Sequence, residues 1–523
     1  MESKQIPERS YLCCLIHSSF HVILKLRTTN PGGKVSNTGA STWQQEPSMD
    51  SVGETATGTG HRRRRVLFFP LPYQGHINPM FQLAGLLHAR GFAVTVFHSH
   101  FNAPDASRHP DYSFVPVPDD GAPPADSPTD AVQATVEHIL ALNRACEAPF
   151  RERLAALLET ARRLGEDVAC LVADTHLLAL IGVARGLGVP TLALRTGSAA
   201  CLRLFKAFPM LCDKGYLPAA QLDAPVVELR PYRVGDLPSA GNAARLGKMR
   251  EVLLRIVAAV AASSGLILNT FDALEPAELA ALRRDLAVPV FDVGPLHKLS
   301  PAAASSTSSL LRQDRGCLDW LHAQAPASVL YVSFGSLANM SAADLVETAW
   351  GIADSGCPFL WVLRPGLIRG APPSPEQPPP LLPDGFHAAT RGRGAVVSWA
   401  PQEEVLAHDA MGAFLTHCGW NSTMEAACAG VPMLCRPCFG DQMGNARYVD
   451  HVWRVGVELD GGGIERGKVA AAIAAVMDGA GGMRRRALEM KRRAAESIGE
   501  GGSSSLNVDK LVSLIQSLYV AQV

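Results

Sequence analysis

Residues 399–442 read WAPQEEVLAHDAMGAFLTHCGWNSTMEAACAGVPMLCRPCFGDQ, and the fold of the chain turns on them. Ala413, Phe414 and Leu415 are a continuous apolar run of the kind a buried strand presents. The turn Cys418-Gly419-Trp420-Asn421 follows, and a helix opens near Ser422 and stops at Gly430 and Pro432. Free N–H groups at such a helix start favour an anion, and a phosphate is the natural guest. Asn421 and Ser422 are placed to bond its oxygens, His417 to add a donor or a positive charge, and Trp399 to offer a flat face to a base. A second reading needs no ligand. Ser422-Thr423-Met424-Glu425 is also a capping box, and for those residues taken alone the cap is the better account.

Outward from this stretch, strand alternates with helix in both directions. Val66–Phe69 is a buried strand, Pro70–His76 a loop, Asn78–Arg90 a helix stopped by Gly91, and Phe92–Phe97 the next strand, which completes a β-α-β unit. After the Pro- and Asp-rich loop Asp119–Thr129 a helical pattern runs to about Leu164. Val168–Ala173 is a strand ending at Asp174, Leu177–Leu187 a helix and Pro190–Leu194 a strand. Helical segments follow, Ala243–Ala262 among them, before strands at Leu266–Leu268 and Val288–Asp292. Ser300–Ser309 (SPAAASSTSS) has linker composition and marks a domain boundary. The alternation restarts with strand Val329–Phe334, helix Ala342–Asp354 and strand Phe359–Leu363. A Pro-rich excursion from Gly366 to Pro383 cannot join a packed sheet. Strand Ala395–Ser398 then leads into the opening stretch, and the amphipathic segment Leu506–Leu518 closes the chain. This pattern describes an α/β protein of two Rossmann-like halves, each a parallel sheet covered on both faces, facing across a cleft.

Composition sets the outer limits. With 523 residues, 47% hydrophobic and 19% charged, the chain is globular and too long for one ordinary core. A formal net charge of -1 gives no global field toward nucleic acid or an anionic membrane, so no nucleic-acid partner is expected and Arg62–Arg65 reads as a solvated lead-in. Twelve cysteines scattered through apolar segments fit a reducing, cytoplasmic setting rather than a disulfide framework. Cys435-Arg436-Pro437-Cys438 has CxxC spacing without a second pair to complete a zinc site, and it reads as incidental. No apolar run reaches the roughly 18 residues of a membrane span. Residues 1–60 read as an extension, disordered or the product of an overextended gene model, with Met49 a natural start for the rest.

His76 lies between the first strand and the first helix, and Asp174 at the carboxyl end of a later strand of the same half. Ligands of open α/β sheets bind at such ends. Either His76 merely caps its helix, or it pairs with Asp174 as a base and its orienter, one imidazole nitrogen taking a hydroxyl proton while the carboxylate holds the other. His176, two residues after Asp174, is read as a solvated helix start rather than a group facing a substrate. A dinucleotide-dependent oxidoreductase would need Gly-x-Gly-x-x-Gly after the first strand, and the turn Leu71–Gly75 lacks it.

Taken whole, the 399–442 stretch resembles the signature box of plant secondary-product glycosyltransferases, the family 1 UDP-glycosyltransferases. Its length and its Trp-Ala-Pro-Gln, His-Cys-Gly-Trp-Asn-Ser and Asp-Gln segments are intact, and the likeness extends from about Arg65 onward. The resemblance implies the GT-B fold: an acceptor domain over 61–299, a linker at 300–310, a UDP-sugar domain over 311–500, and a terminal helix within 501–523 that crosses back to the first domain. It implies His76 as catalytic base with Asp174 its partner. Trp399, beside Ala400, would stack on uracil, Gln402 would bond near base and ribose, and Glu425 would accept the ribose hydroxyls. Ser336, His417, Asn421 and Ser422 would hold the diphosphate. Trp420, Asp441 and Gln442 would line the sugar, with Thr196 touching it from the first domain. Family patterns link a final Gln, here Gln442, to UDP-glucose, and Trp420 in place of Arg disfavours a glucuronate donor.

The implied reaction is inverting transfer of glucose from UDP-glucose to a hydroxyl of a small lipophilic acceptor, by a monomer with no cofactor. No Asp-x-Asp pair is present to hold a metal, so helix N-terminus and side-chain donors would neutralise the diphosphate. Loops around Tyr73, His100–Pro104, His176, Phe205–Tyr216 and Tyr232 would form the acceptor wall. Leu194-Arg-Thr-Gly-Ser, Pro209-Met-Leu-Cys-Asp-Lys-Gly-Tyr and Cys435-Arg-Pro-Cys-Phe-Gly look like benzoxazinone glucosyltransferases of grasses, which places hydroxamic acids beside phenolics and hormones as acceptors. The competing reading is a catalytically inactive nucleotide-sugar-binding regulator. The presence of both His76 and Asp174 speaks against it.

Overall fold

A computed structural model describes residues 63–120, 131–301, 309–369, 382–459 and 463–520. The 1–60 extension, most of the 119–129 loop, most of the 300–309 linker and most of the Pro-rich excursion lie outside the described residues.

Apolar runs become parallel strands, buried on both faces at the centre of each sheet and partly exposed at the edges. Seven of them, β1 (Arg65–Phe69), β2 (Ala93–Ser99), β3 (Ser113–Val117), β4 (Val168–Asp174), β5 (Thr191–Arg195), β6 (Leu266–Leu268) and β7 (Val290–Asp292), form one sheet in the order β3-β2-β1-β4-β5-β6-β7. Six more, β8 (Val329–Ser333), β9 (Phe359–Val362), β10 (Gly394–Val397), β11 (Met411–Thr416), β12 (Met433–Cys435) and β13 (Gly456–Glu458), form a second in the order β10-β9-β8-β11-β12-β13. All paired neighbours run parallel. This is the two-sheet GT-B arrangement.

Each sheet reverses strand order once, between β1 and β4 in the first and between β8 and β11 in the second. A crevice opens outside the carboxyl ends at such a reversal. The register aligns those ends, Phe69 with Ala173 and Ser333 with Thr416. The residues that leave β1, β4, β8 and β11 are the ones the sequence marked for chemistry.

The final helix, Ser503–Ser517, buries Val508, Leu511 and Ile515, one face at helical spacing, in the same cluster as Val66, Ile77, Val172 and Ile267 of the first sheet's layer. Arg64 donates to the Ile515 carbonyl at 3.0 Å and so closes its carboxyl end. The crossing back is thus built from an apolar stripe, the Arg64 cap and bonds from Ser504 to the Gly294 carbonyl at 2.6 Å and from Asn507 to Asp292 at 2.8 Å.

Several boundaries differ from the sequence reading. The helix after β1 runs Gln74–Ala89, so it starts four residues early and carries His76 in its first turn and Pro79 inside. The pattern from 131 to 164 divides at Cys146 into two helices, Ala131–Ala145 and Glu147–Leu164. Strand β3 was not anticipated. Its Pro116 removes a ladder donor, which an edge strand tolerates. The helix of the opening stretch begins at Trp420 with Gly419 as its N-cap and no side-chain cap. Ser422 therefore lies inside the first turn, and the capping box is not formed.

Candidate active site

His76, in the first turn after β1, faces Asp174, the last residue of the neighbouring β4. Its Nδ1 stands 2.6 Å from Asp174 Oδ2, and Thr196 Oγ1, just beyond β5, is 3.0 Å from the same nitrogen. With Nδ1–H given to the carboxylate, Nε2 is the basic nitrogen. Asp174 is fully buried, while the His76 side chain keeps about a fifth of its surface exposed. Burial alone would raise the Asp174 carboxyl, but the imidazoles of His76 and His176 more than offset this and hold it below the usual carboxylate range.

His176 is not a solvated helix start. Its Nδ1 lies 2.7 Å from Asp174 Oδ1, its backbone N–H donates to the same oxygen at 2.9 Å, and its ring meets His76 edge-on at 5.0 Å. Burial lowers it to about 4 although Asp174 pulls the other way, so at neutral pH it helps the carboxylate as an uncharged N–H donor. Ligand atoms of His76, Asp174 and His176 lie within 4.8 Å of one another. Both Nδ1 atoms are already committed to the carboxylate.

Across the cleft, the loop after β8 and the turn after β11 are packed together by glycine. A Cβ on Gly335 would sit 2.6 Å from Cε1 and Nε2 of His417, and one on Gly419 would sit 2.5 Å from Nε2. Burial, with the nearby Arg364 charge, lowers His417 to about 4. His417 is thus a neutral donor, not the positive group the sequence left open, and its Nδ1 has no protein partner. Arg364, overlooked in the sequence, supplies the charge from behind. It donates to the carbonyls of Gly335 at 2.6 Å and Pro365 at 3.0 Å, and also to that of Ala338, so it braces the loop that carries Ser336. Burial brings it down to about 10, which leaves it cationic at neutral pH.

Gln402, Ser422 and Glu425 form one polar chain with Tyr331, and the remaining residues of the opening stretch are held one by one. Gln402 Nε2 donates to Glu425 Oε2 at 2.6 Å and Ser422 Oγ at 2.9 Å, and Tyr331 Oη donates to Gln402 Oε1 at 3.2 Å. Burial and the neighbouring Glu403 raise Glu425 to about 8. Gln442 Oε1 accepts from the backbone of Cys438 at 2.8 Å and Phe439 at 3.1 Å, which fixes its amide and leaves Nε2 free of those bonds. Asp441 Oδ2 accepts from Asn445. Trp420 and Asn421 reach into the other half: the indole N–H donates to the Asn269 carbonyl at 2.8 Å, and Asn421 Nδ2 to the Gly75 carbonyl at 3.0 Å. Gly75 would ordinarily accept from the residue four along its helix. That residue is Pro79, which has no N–H.

One cavity of about 650 Å³ joins the two sides, within the range of small-molecule sites. Every sequence-predicted site residue lines it except Asp174, which stands behind His76. Tyr73, His176 and Phe205 line it beside His76 as expected, but neither the His100–Pro104 loop nor Tyr232 does. Tyr232 is buried against Gly444 and Tyr448 at the junction of the halves. Sequence reasoning missed Val136 and Ile139 of helix Ala131–Ala145, and Met249, Val252, Leu253 and Ile256 of helix Leu246–Ala262, which make the apolar wall. Their i, i+3, i+4, i+7 spacing was a usable signal for one buried face, although not for what that face meets.

Comparison with known proteins fits this geometry. A family described as UDP-glucoronosyl and UDP-glucosyl transferase matches residues 268–484. The maize protein DIMBOA UDP-glucosyltransferase BX8 is 50% identical over 464 residues, covering 87% of this chain and 98% of that protein. The chain belongs to the UDP-glycosyltransferase family. Maize DIMBOA UDP-glucosyltransferase BX9 is 48% identical to this transferase over 477 residues, covering 89% of it and 100% of the relative. Among solved structures, Phytolacca americana UGT2 complexed with UDP-2-fluoroglucose and pterostilbene superposes with a TM-score of 0.73 at 28% identity, over 87% of this transferase and 100% of that chain. Os79 from O. sativa with UDP does so at 0.72 and 29%, over 86% and 100%. Among the described residues, no helix of the transferase is long and apolar enough to cross a membrane.

Proposed function

We propose that this transferase moves glucose from UDP-glucose to a hydroxyl of a small lipophilic plant metabolite, with inversion, giving a β-glucoside from the α-linked donor. The observation that carries the reading is a single cavity in which His76, backed by Asp174 at 2.6 Å, faces the Trp399–Gln442 stretch. The acceptor oxygen loses its proton to His76 Nε2 and attacks the anomeric carbon from the face opposite UDP. Asp174 stabilises the imidazolium that forms. Trp399 and Ala400 seat uracil, Gln402 and Glu425 the ribose, and Ser336, His417, Asn421 and Ser422 the diphosphate. Trp420, Asp441 and Gln442 surround the sugar. Thr196, at 3.0 Å from His76 Nδ1, holds the base as well as bordering the sugar.

Leaving-group charge falls on preorganised donors, with the Trp420–Ala429 helix start in front and the Arg364 guanidinium beneath, so the reaction runs without a metal. The apolar wall from Val136 to Ile256, together with relatives named for DIMBOA, supports a benzoxazinone hydroxamic acid as acceptor ahead of a flavonoid or hormone. The enzyme works as a cytoplasmic monomer, and the domain limits suggested by the sequence, 61–299 and 311–500 about a linker at 300–310, are its working halves.

Incubation with UDP-glucose and a panel of hydroxamic acids, flavonoids and cytokinins, followed by mass spectrometry and NMR of the anomeric proton, tests the reading. His76→Ala is expected to lower kcat by about 10²–10⁴-fold. Undiminished turnover in that variant removes the proposed base. Activity abolished by EDTA and restored by a divalent ion refutes the metal-free scheme.

A further inference from the structure

The acceptor side of the cavity contains a cation that the mechanism leaves unused. Arg195, the last residue of β5, lines the cavity with only 4% of its surface exposed. Among the described residues it makes no ion pair. Its one hydrogen bond goes to the Cys201 sulfur at 3.4 Å, its guanidinium lies 4.8 Å over the Phe205 ring, and its Nε has no partner. Two carboxylates act on its partner Cys201, and both are engaged elsewhere: Asp441 accepts from Asn445, and Glu275 accepts from the backbone of Ala199 and Ala200 and from Thr270.

Sulfur is a weak acceptor, and a cation–π contact is a modest one. Neither balances the cost of taking a guanidinium out of water, which buried charges recover from a partner of opposite sign. The fold holds the group nonetheless. Gly197 lies flat beneath it, where a Cβ would come within 2.9 Å of Nη2. Phe205, which supports the guanidinium from its ring face, lines the same cavity as His76 and His176.

We propose that Arg195 is the docking group for a second oxygen of the acceptor, one that is anionic or strongly electron-rich and lies beside the hydroxyl that is glucosylated. Hydroxamates and carboxylates answer this description, and plain phenols do not. The guanidinium takes no proton and forms no bond in the transfer. It holds the acceptor with its free hydroxyl toward His76, and it selects against neutral analogues because they leave the charge buried and unpaired. This rests on the proposed glucosyl transfer and narrows its acceptor.

The test compares 2,4-dihydroxy-1,4-benzoxazin-3-one with 2-hydroxy-1,4-benzoxazin-3-one, which lacks the N-hydroxyl, in the wild type, Arg195→Gln and Arg195→Lys. The wild type is expected to favour the hydroxamic acid by about 10- to 100-fold in kcat/KM. In Arg195→Gln that preference collapses while the dissociation constant for UDP is unchanged, and Arg195→Lys retains part of it. A preference that survives in Arg195→Gln overturns the proposal, and so does a loss of UDP binding as large as the loss for acceptor. If the wild type turns over neither compound, the acceptor reading itself is wrong. Calorimetry of the UDP-loaded protein with benzohydroxamate and benzamide then decides on Arg195 alone: tighter binding of benzohydroxamate that vanishes in Arg195→Gln supports the docking role, and equal binding overturns it.

Discussion

Replacing Gly335 by alanine should damage donor binding through His417, and the structure sets the size of the effect. Gly335 has φ of +64°, a conformation that costs an L-residue about 1–2 kcal/mol. The new methyl would also lie 2.6 Å from Cε1 and Nε2 of a buried imidazole. The ring has little room to give, because Gly419 also packs against its Nε2, where a Cβ would come within 2.5 Å. Overpacking of this kind costs about 1–3 kcal/mol. Gly356, at the end of helix Ala342–Ser355, is the control: its φ is +72° and a Cβ there meets nothing within 4 Å, so Gly356→Ala carries the backbone cost alone. Gly335→Ala should therefore unfold at a lower temperature than Gly356→Ala. If the displaced imidazole loses one hydrogen bond to a charged oxygen, about 1.5–3 kcal/mol, donor affinity falls by about 10- to 150-fold. Gly356→Ala should bind UDP-glucose normally. Adding His417→Ala to Gly335→Ala removes the obstructing ring, so stability should recover while donor affinity stays low, a non-additivity expected of groups in contact. Differential scanning fluorimetry and calorimetric titration with UDP read both quantities. Equal melting temperatures for the two alanine variants, together with unaltered UDP binding in Gly335→Ala, would refute the packing argument.

Glu425 makes donor binding depend on pH. Burial raises its carboxyl to about 8, so it is protonated in the ligand-free protein at pH 7, whereas in the proposed complex ribose hydroxyls donate to the carboxylate. UDP binding at pH 7 should release a proton, and affinity should climb between pH 6 and 8 and then level off; calorimetry in buffers of different ionisation enthalpy measures this, and zero proton release contradicts it. Because the folded-state value lies above the unfolded one, the same group's stability contribution is complete near pH 4 and declines as pH rises through about 8. Ser422→Ala should cost about 0.5–1.5 kcal/mol through its bond to Gln402, and because no side-chain cap is formed the loss should be non-additive with that of Gln402→Ala; chemical denaturation of both single variants and the double reads this, and strict additivity would restore the capping box. Trp420→Phe strips the buried Asn269 carbonyl of its indole donor and should cost about 1–3 kcal/mol in thermal or denaturant unfolding, a prediction that an unchanged melting curve defeats.

Fold and site were legible in the sequence to different depths, for a physical reason. Buried parallel strands are continuous apolar runs, and residues at their carboxyl ends sit at the crevice by topology, so His76, Asp174 and His417 could be named before any coordinates, and Ser336 through the family resemblance. Partner choice is a tertiary property. Ser422 and Glu425 spell a cap locally, yet both are taken by Gln402, some twenty residues away. His176 looks like an exposed helix start until Asp174 turns a second oxygen to it. Arg364 and Arg195 are unremarkable in sequence because an arginine announces its burial only through what surrounds it. The helix Leu246–Ala262 showed an apolar face, and periodicity cannot say whether such a face meets core or substrate.

The two halves of the site belong to different sheets, and catalysis tolerates little error between them, since a misplacement of about 1 Å can cost 10²-fold. The bonds across the junction are concentrated where that error matters. Asn421, whose neighbours line the donor side, donates to the carbonyl of Gly75, the residue next to His76, and that carbonyl is available because Pro79 cannot use it. Ser198, two residues from Thr196, bonds Asn445 at 3.3 Å, and Asn445 in turn holds the Cys418 carbonyl at 3.0 Å, in the turn before Trp420. Farther out, Arg447 and Asp236 meet at 3.1 Å in a nearly dry contact. The proposed base and the proposed donor turn are thus referenced to each other through one or two hydrogen bonds rather than through the hundreds of residues that separate them in the chain. A proline inside a helix, which in isolation reads as a defect, is what frees the carbonyl that makes this possible.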